Sequence, residues 1–325
     1  TKLARKPVEH PNNVEQVVSD NALGLALATV PDKRYFTSYL SRNIGELTDM
    51  EMLDYAFSKA RNVLIFGPTG PGKTSFVMAW AAARRKKFYS VASNIALDPS
   101  QMFGKMSVKD DGSFGWFDGG VTDIVRNGGV LLVDEVNFMS DRIAPVLFEL
   151  FDKRREISLL DHKGEKIRAH RPDCWCDLPE KECQERWVLV VACMNPDYSG
   201  TRPLNAAFRN RFPIQIEWDY DEDIENKLVP YPTLMQIARS IRKTGSRVET
   251  PVATNMLQEF ADIATDLGLP FAITNFCNHF SVDERPRLFA PQSADLCAHC
   301  GGARRRRLPV RHNDLQRRPV AALGC

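Results

Sequence analysis

The chain has 325 residues, 43% of them hydrophobic and 26% charged, the proportions of an ordinary soluble globular protein. It has no apolar run long enough to cross a membrane, and its opening stretch, "TKLARKPVEHPNN", lacks the apolar core of a secretory signal, so a cytoplasmic location is expected. The net charge of +2 is unevenly placed: residues 286–325 hold eight arginines against two aspartates, so the basic balance says nothing about the net acidic remainder.

Residues 1–47 mix polar and apolar residues without strong period and are read as an irregular lead-in. "TDMEMLDYAFSKAR" (48–61) predicts a helix that Thr48 can cap, with Met52, Leu53, Tyr55 and Phe57 as apolar surface. "NVLIFG" is a short apolar strand. "GKTSFVMAWAAARRKK" follows as a helix apolar on most sides, hence buried. "FYSVAS" (88–93) and "GVLLVDE" (129–135) are further strands. In "SDRIAPVLFELFDK" the residues Ile143, Val146, Leu147 and Leu150 recur at helical spacing. "WVLVVACMN" is a fourth strand and "FPIQIEW", with Ile214 and Ile216 alternating, a fifth.

Two stretches, 104–118 and 156–170, interrupt this order and read as hairpins turning at Asp111-Gly112 and around Lys163-Gly164. Past Tyr220 only helices are expected. One is "PTLMQIARSIRKTG", ending at Gly245; a second is "TNMLQEFADIATDLG", with Thr254 as cap and Gly268 as stop; a third runs through "AITNFCNHF". From Pro286 the chain has neither helical nor strand period and is read as a disordered basic tail. Strands alternating with helices predict an α/β fold, a parallel sheet with helices on both faces over residues 48–219. A small all-helical domain then follows over 220–285.

"GPTGPGKTS", running Gly67, Pro68, Thr69, Gly70, Pro71, Gly72, Lys73, Thr74, Ser75, lies between a predicted strand and a predicted helix. Glycines let backbone N–H groups turn inward around phosphate oxygens, and the helix N-terminus adds its positive dipole end. Lys73 would reach the β- and γ-phosphates of ATP, and Thr74 would give its hydroxyl to Mg²⁺. The bland alternative is a glycine-rich turn with an incidental lysine; the strand–loop–helix context argues against it.

Sixty residues on, "GGVLLVDEVN" delivers Asp134 and Glu135 at the end of an apolar strand. Successive side chains there point to opposite sides, so Asp134 would hold the hydrated Mg²⁺ and Glu135 would deprotonate the attacking water. Asn195 ends the next apolar strand and can contact the γ-phosphate or that water. Arg209 and Arg211 close a short helix beyond it. They suit an arginine finger reaching a neighbouring subunit's nucleotide; the plainer reading of each is a surface salt bridge.

These residues together resemble the AAA+ ATPases, and most closely the MoxR-like and dynein-related branch that includes the CbbQ, NorQ and GvpN proteins and the modules of midasin. The resemblance rests on Gly67–Thr74 as Walker A, "GGVLLVDEVN" as Walker B, "MNPDYSGTRPLNAAFRNRF" as sensor 1 through arginine finger, and the two hairpins. It spans roughly residues 40–280. It implies a P-loop NTPase sheet followed by a helical lid, hydrolysis of ATP with Mg²⁺, and a homo-oligomeric ring, usually a hexamer. It also implies remodelling of a protein client, often beside a partner bearing a von Willebrand A domain. The branch commonly carries a sensor 2 arginine early in a lid helix. "LPFAITNFCNHF" offers neither arginine nor lysine, so none is assigned. Two other readings stay open: a nucleic-acid-linked motor of helicase or restriction type, and a slow ATP-dependent switch.

The eight cysteines, in a chain without a signal, are expected as reduced thiols or metal ligands rather than disulfides. His170, Cys174, Cys176 and Cys183 offer four soft ligands within 14 residues, but C-x-C-x₆-C is not a standard zinc spacing. Free thiols on an insertion are the plainer reading. The tail's "CAHC" has no second pair, and its arginine run lacks aromatic residues to stack bases. Trp116 and Phe117 of the first hairpin either grip a polymer in a ring pore or pack beneath the hairpin.

Overall fold

A computed structural model describes residues 27–285 apart from 93–97, 110, 140–142, 197–203, 205 and 244–249. The tail, with Cys297 and Cys300, most of the lead-in, and the Gly245 helix end therefore lie outside the described residues.

Five strands make the central sheet: β1 (Val63–Phe66), β2 (Phe88–Ala92), β3 (Gly129–Asp134), β4 (Val188–Met194) and β5 (Ile214–Glu217). They lie in the order β5–β1–β4–β3–β2, and every neighbouring pair is parallel. Parallel strands need crossovers, and crossover helices cover both faces, so the strands must be apolar throughout. All seven residues of β4 are buried, as are the first five of β3.

Alternation divides the core in two. Val63, Ile65, Val130, Leu132, Leu189 and Val191 face Leu53, Phe76, Val77 and Trp80 of α1 (Asp49–Ser58) and α2 (Lys73–Ala83). Leu64, Leu131, Val133 and Val190 face the other way. They meet Ile124, Leu147, Leu150 and Phe208 of α3 (Gly120–Asn127), α4 (Ala144–Phe151) and α5 (Ala206–Arg209). The expected cap of α1 is present as a capping box: Glu51 N–H donates to the Thr48 hydroxyl at 3.2 Å, and Thr48 N–H donates to the Glu51 carboxylate at 2.8 Å. Helix α3 is not apparent in the sequence, because its eight residues are bracketed by glycines that read as a loop.

Both hairpins form. Gly104–Val108 pairs with Phe114–Asp118, and Glu156–Leu159 pairs with Glu165–Arg168. The turns fall where expected: Gly112 takes φ +79°, and Lys163 and Gly164 take φ +56° and +69°. The hairpins lean on each other. Trp116 stacks on His162 with ring centroids 4.8 Å apart, and Arg126 of α3 bridges Asp118 at 2.9 Å and Glu165 at 2.8 Å. Trp116 is thus packed between the hairpins, while Met106, Val108 and Phe114 stand exposed on the first.

The C-terminal helices are α6 (Glu222–Leu228), α7 (Pro232–Lys243), α8 (Thr254–Leu267) and α9 (Leu269–Asn278). They share a separate core of Leu234, Met235, Leu257, Phe260, Phe276 and Phe280. Helix α6 is absent from the sequence reading; the Asp221 carboxylate caps it by accepting from Asp223 N–H and Ile224 N–H, both at 3.0 Å. Thr254 does not cap α8. Ala253 occupies that position, and the Thr254 hydroxyl instead donates to the buried Glu225 carboxylate at 2.6 Å. Among the described residues no helix is long and apolar enough to cross a membrane.

Glu225 is only 1% exposed and is held by a bidentate pair with Arg242, at 2.7 and 2.8 Å. A buried carboxylate without its partner cation is costly. Arg242→Ala is therefore expected to lower stability by about 3–5 kcal/mol, read by chemical denaturation. Loss below about 1 kcal/mol would mean that the pair does not hold these helices together.

Candidate nucleotide site

The carboxyl ends of β1, β3 and β4 meet at one edge of the sheet, where doubly wound folds bind their ligands. Register fixes what arrives there. Met194 lies beside Phe66, so Asn195 follows next to Gly67, and Gly67 N–H donates to Met194 O at 3.2 Å. Gly67, Gly70 and Gly72 take φ of +154°, +95° and +90°, backbone that side chains with a Cβ rarely adopt. The loop therefore turns back over the strand end and feeds directly into α2.

Inside that loop the Lys73 ammonium donates to Gly67 O at 2.9 Å and Pro68 O at 2.6 Å. Burial holds its pKa below the usual lysine value, against the pull of Cys193, Asp134 and Glu135. An anion at the loop would relieve that penalty. Thr74 hydroxyl donates to the Asp134 carboxylate at 2.7 Å, joining α2 to the end of β3. A hydroxyl and a carboxylate side by side are the hard oxygen donors that Mg²⁺ takes, so the residues present fit that ion.

Glu135 follows in the left-handed region, φ +52° and ψ +43°, with its side chain exposed. The position is fixed locally: Glu135 N–H donates to Asp134 Oδ1 at 3.0 Å and Phe138 N–H donates to Glu135 O at 2.8 Å. Such backbone costs a non-glycine residue about 1–2 kcal/mol. The Glu135 carboxylate is near enough to Lys73 to act on that ammonium electrostatically. Asn195 donates its side-chain amide to the Thr69 hydroxyl at 2.7 Å, and its backbone carbonyl accepts from the Asn137 side chain at 3.1 Å. The structure thus brings the Gly67–Ser75 loop, Asp134, Glu135 and Asn195 to one place.

Arg209 and Arg211 are not at that place. The carbonyl of Arg211 accepts from the Asn62 side chain at 2.8 Å, at the opposite end of β1. Four residues of strand put about 13 Å between the two ends. The Arg211 guanidinium lies 4.9 Å from the centre of the Phe148 ring and donates to Ala207 O at 2.7 Å. Arg209 is exposed, and its side chain has no partner among the described residues.

Three contributors are missing from the sequence reading. Tyr220 donates its hydroxyl to Thr69 O at 2.7 Å, Trp218 donates its indole N–H to Pro71 O at 3.1 Å, and Arg42 donates to Pro71 O at 3.1 Å. They engage the outward carbonyls of the loop and leave its N–H groups for a ligand. Each is a lone residue without a motif, so only the fold reveals it. A cavity of about 520 Å³ beside them is lined by Arg42, Ile44, Trp218, Tyr220 and Asp221.

A parallel five-stranded sheet with this loop and this Thr–Asp pair is the arrangement of a P-loop NTPase-like fold. Residues 62–212 match the family model of the AAA domain, dynein-related subfamily. An uncharacterized protein of Staphylococcus haemolyticus is 27% identical over 276 residues, covering 79% of this chain and 97% of that one. Another, from Staphylococcus aureus, is 27% identical over 247 residues, covering 70% and 88%. Among solved structures, a point mutant of Thermotoga maritima RuvB has a TM-score of 0.40 at 16% identity, covering 75% of this chain and 68% of that one.

A Cβ at residue 67 would lie 2.0 Å from the Trp218 carbonyl oxygen, whereas one at Gly164, also at positive φ, would meet nothing within 4 Å. Gly67→Ala is expected to cost about 2–4 kcal/mol through strain and overpacking, and to weaken nucleotide binding. Gly164→Ala should cost only about 1–2 kcal/mol and leave binding alone. Equal effects, compared by thermal melts and nucleotide titration, would show that the Trp218 contact does not constrain the loop.

Proposed function

We propose that the chain is an ATP-hydrolysing AAA+ motor of the MoxR-like kind, working as a ring, hexameric by resemblance, that remodels a protein client. In this reading residues 48–219 are the nucleotide-binding body and 220–285 a lid. The observation that carries it is the convergence of Lys73, the Thr74–Asp134 pair, Glu135 and Asn195 on one sheet edge.

In the reaction the loop N–H groups and Lys73 hold the β- and γ-phosphates, and Lys73 sheds the cost of its burial as it meets them. Thr74 and Asp134 are the protein's ligands for Mg²⁺, which when bound offsets phosphate charge. Glu135, exposed beside that pair, accepts the proton of the attacking water. Asn195, now on the Thr69 hydroxyl, is placed to turn its amide to the γ-phosphate or the water. The arginines are too far from their own loop to join it, which supports action on the nucleotide of a neighbouring copy. Arg211 would first have to leave Phe148 and Ala207, whereas Arg209 is exposed with no side-chain partner among the described residues.

The client reading is supported by the exposed apolar face of the first hairpin, Met106, Val108 and Phe114, and by the net acidic body. A partner with a von Willebrand A domain is proposed from the resemblance alone. Stimulation of hydrolysis by DNA would instead favour the nucleic-acid motor.

Lys73→Ala should lose ATP binding in a calorimetric titration, and normal affinity there would remove the loop's assignment. Glu135→Gln should bind ATP and hydrolyse it orders of magnitude more slowly; an unchanged kcat would mean another residue is the base. Arg211→Ala and Arg209→Ala test the finger, whose loss elsewhere costs about 10³–10⁵ in rate. Mixing an inactive arginine variant with Glu135→Gln should restore activity at interfaces pairing an intact glutamate with a neighbour's intact arginine. No recovery in demonstrably mixed rings would overturn action across the interface.

A further inference from the structure

His170, Cys174, Cys176 and Cys183 lie far along the chain from the nucleotide residues, yet the fold gathers them. Their ligand atoms all fall within 4.8 Å of one another. His170 comes from the end of the second hairpin, where it bridges to Trp187 just ahead of β4. Cys174 is set by a turn in which its N–H donates to Arg171 O at 3.0 Å. Cys183 sits in the short helix Glu180–Glu185, its N–H donating to Pro179 O at 2.9 Å.

We propose that these four side chains form a structural zinc site of the Cys₃His type. Zinc holds thiolate sulfur at about 2.3 Å and imidazole nitrogen at about 2.0–2.1 Å in a tetrahedron. The edges of that tetrahedron are then about 3.8 Å between sulfurs and about 3.5 Å between sulfur and nitrogen. Here His170 Nδ1 lies 3.7 Å from Cys174 Sγ and 3.6 Å from Cys183 Sγ, and Cys174 Sγ lies 3.6 Å from Cys176 Sγ. The Cys174–Cys183 edge, 3.0 Å, is shorter and would open on loading.

The surroundings need such a tie. Among residues 171–182, none is buried, and Trp175 between two of the cysteines is fully exposed. A segment with no apolar core has little to offset the entropy of a fixed conformation. Small structures in that position use metals or disulfides. Three thiols and one imidazole give four ligands, the number a closed structural site takes. Loading displaces the three thiol protons, so affinity should fall as pH drops. The metal would fasten the base of the second hairpin to the start of β4, the strand that ends at Asn195.

The test uses the full chain. Zinc content of the purified protein should be about one per chain. After chelation, cobalt(II) should restore the visible bands of a tetrahedral centre and the near-ultraviolet sulfur-to-cobalt charge transfer. Cys176→Ser, at an exposed position that leaves the core untouched, should weaken cobalt binding at least tenfold, and Cys174→Ser should do the same. Cys297→Ser with Cys300→Ser should leave both bands unchanged. Three outcomes would overturn the proposal: no bands in the chelated wild type, bands that follow Cys297 and Cys300, or a Cys174–Cys183 disulfide in the protein as isolated. ATP binding by Cys176→Ser, measured alongside, separates this site from the nucleotide reading.

Discussion

The exit of β1 is pinned on both sides. Gly67 N–H is bound to Met194 O of β4, and Trp218 N–H, just after β5, is bound to Phe66 O at 2.8 Å. Trp218's carbonyl then occupies the space a side chain at residue 67 would need. With both lateral directions closed, the chain can only rise over the sheet edge, and Pro68–Gly72 is the turn that brings it back as α2. Lys73 and Thr74 are where they are because of that confinement. The same two neighbours deliver Asn195 from one flank and Tyr220 from the other, so three adjacent strands determine most of the site's geometry.

From the loop a continuous polar path leads into the C-terminal helices. Tyr220 holds Thr69 O, and the Arg242 guanidinium lies over its ring, 3.5 Å from the ring centre; Arg242 pairs with Glu225, which accepts from Thr254 at the start of α8. Burial pushes the Tyr220 phenol up to about 12, so it remains a neutral donor near pH 7. A second contact is steric: a Cβ at Gly70 would meet that of Ala253, at the cap of α8, at 2.2 Å. The tip of the loop therefore touches α8 directly. On the proposed reading, phosphate entering the loop and movement of these helices are coupled through Thr69 and Gly70.

The parallel sheet was legible in the sequence because its three inner strands, β1, β4 and β3, are short apolar runs closed by a polar or glycine-containing turn, and buried parallel strands demand that pattern. The loop was legible because glycine and lysine spacing is dictated by phosphate geometry. Much of what escaped depends on groups distant in sequence. Thr254 has the residue type of a cap, but Glu225, 29 positions earlier, takes its hydroxyl. Tyr220 and Arg42 acquire a role only when the fold sets them against loop carbonyls. Helix α6 is short and mostly charged, so it shows little periodicity, and its signal is the Asp221 cap alone. The four soft ligands were visible by type. Their convergence was not, because the spacing matches no standard pattern and depends on the His170–Trp187 bridge.

Charge explains why the two arginines belong to the argument although they stand at the wrong edge. At the loop edge Lys73 is the loop's half-buried cation, beside the carboxylates of Asp134 and Glu135. A triphosphate placed there adds several negative charges, and phosphoryl transfer spreads more onto the γ-oxygens. Arg209 and Arg211 lie at the amino-terminal edge, a strand's length from the loop. If they serve a nucleotide, they serve one bound at the carboxyl-terminal edge of another copy. A contact between two different edges is heterologous, and repeated it gives a closed ring when the rotation closes. On the proposed reading, the separation of loop and arginines by β1 requires a head-to-tail assembly, and hydrolysis at each site then depends on its neighbour.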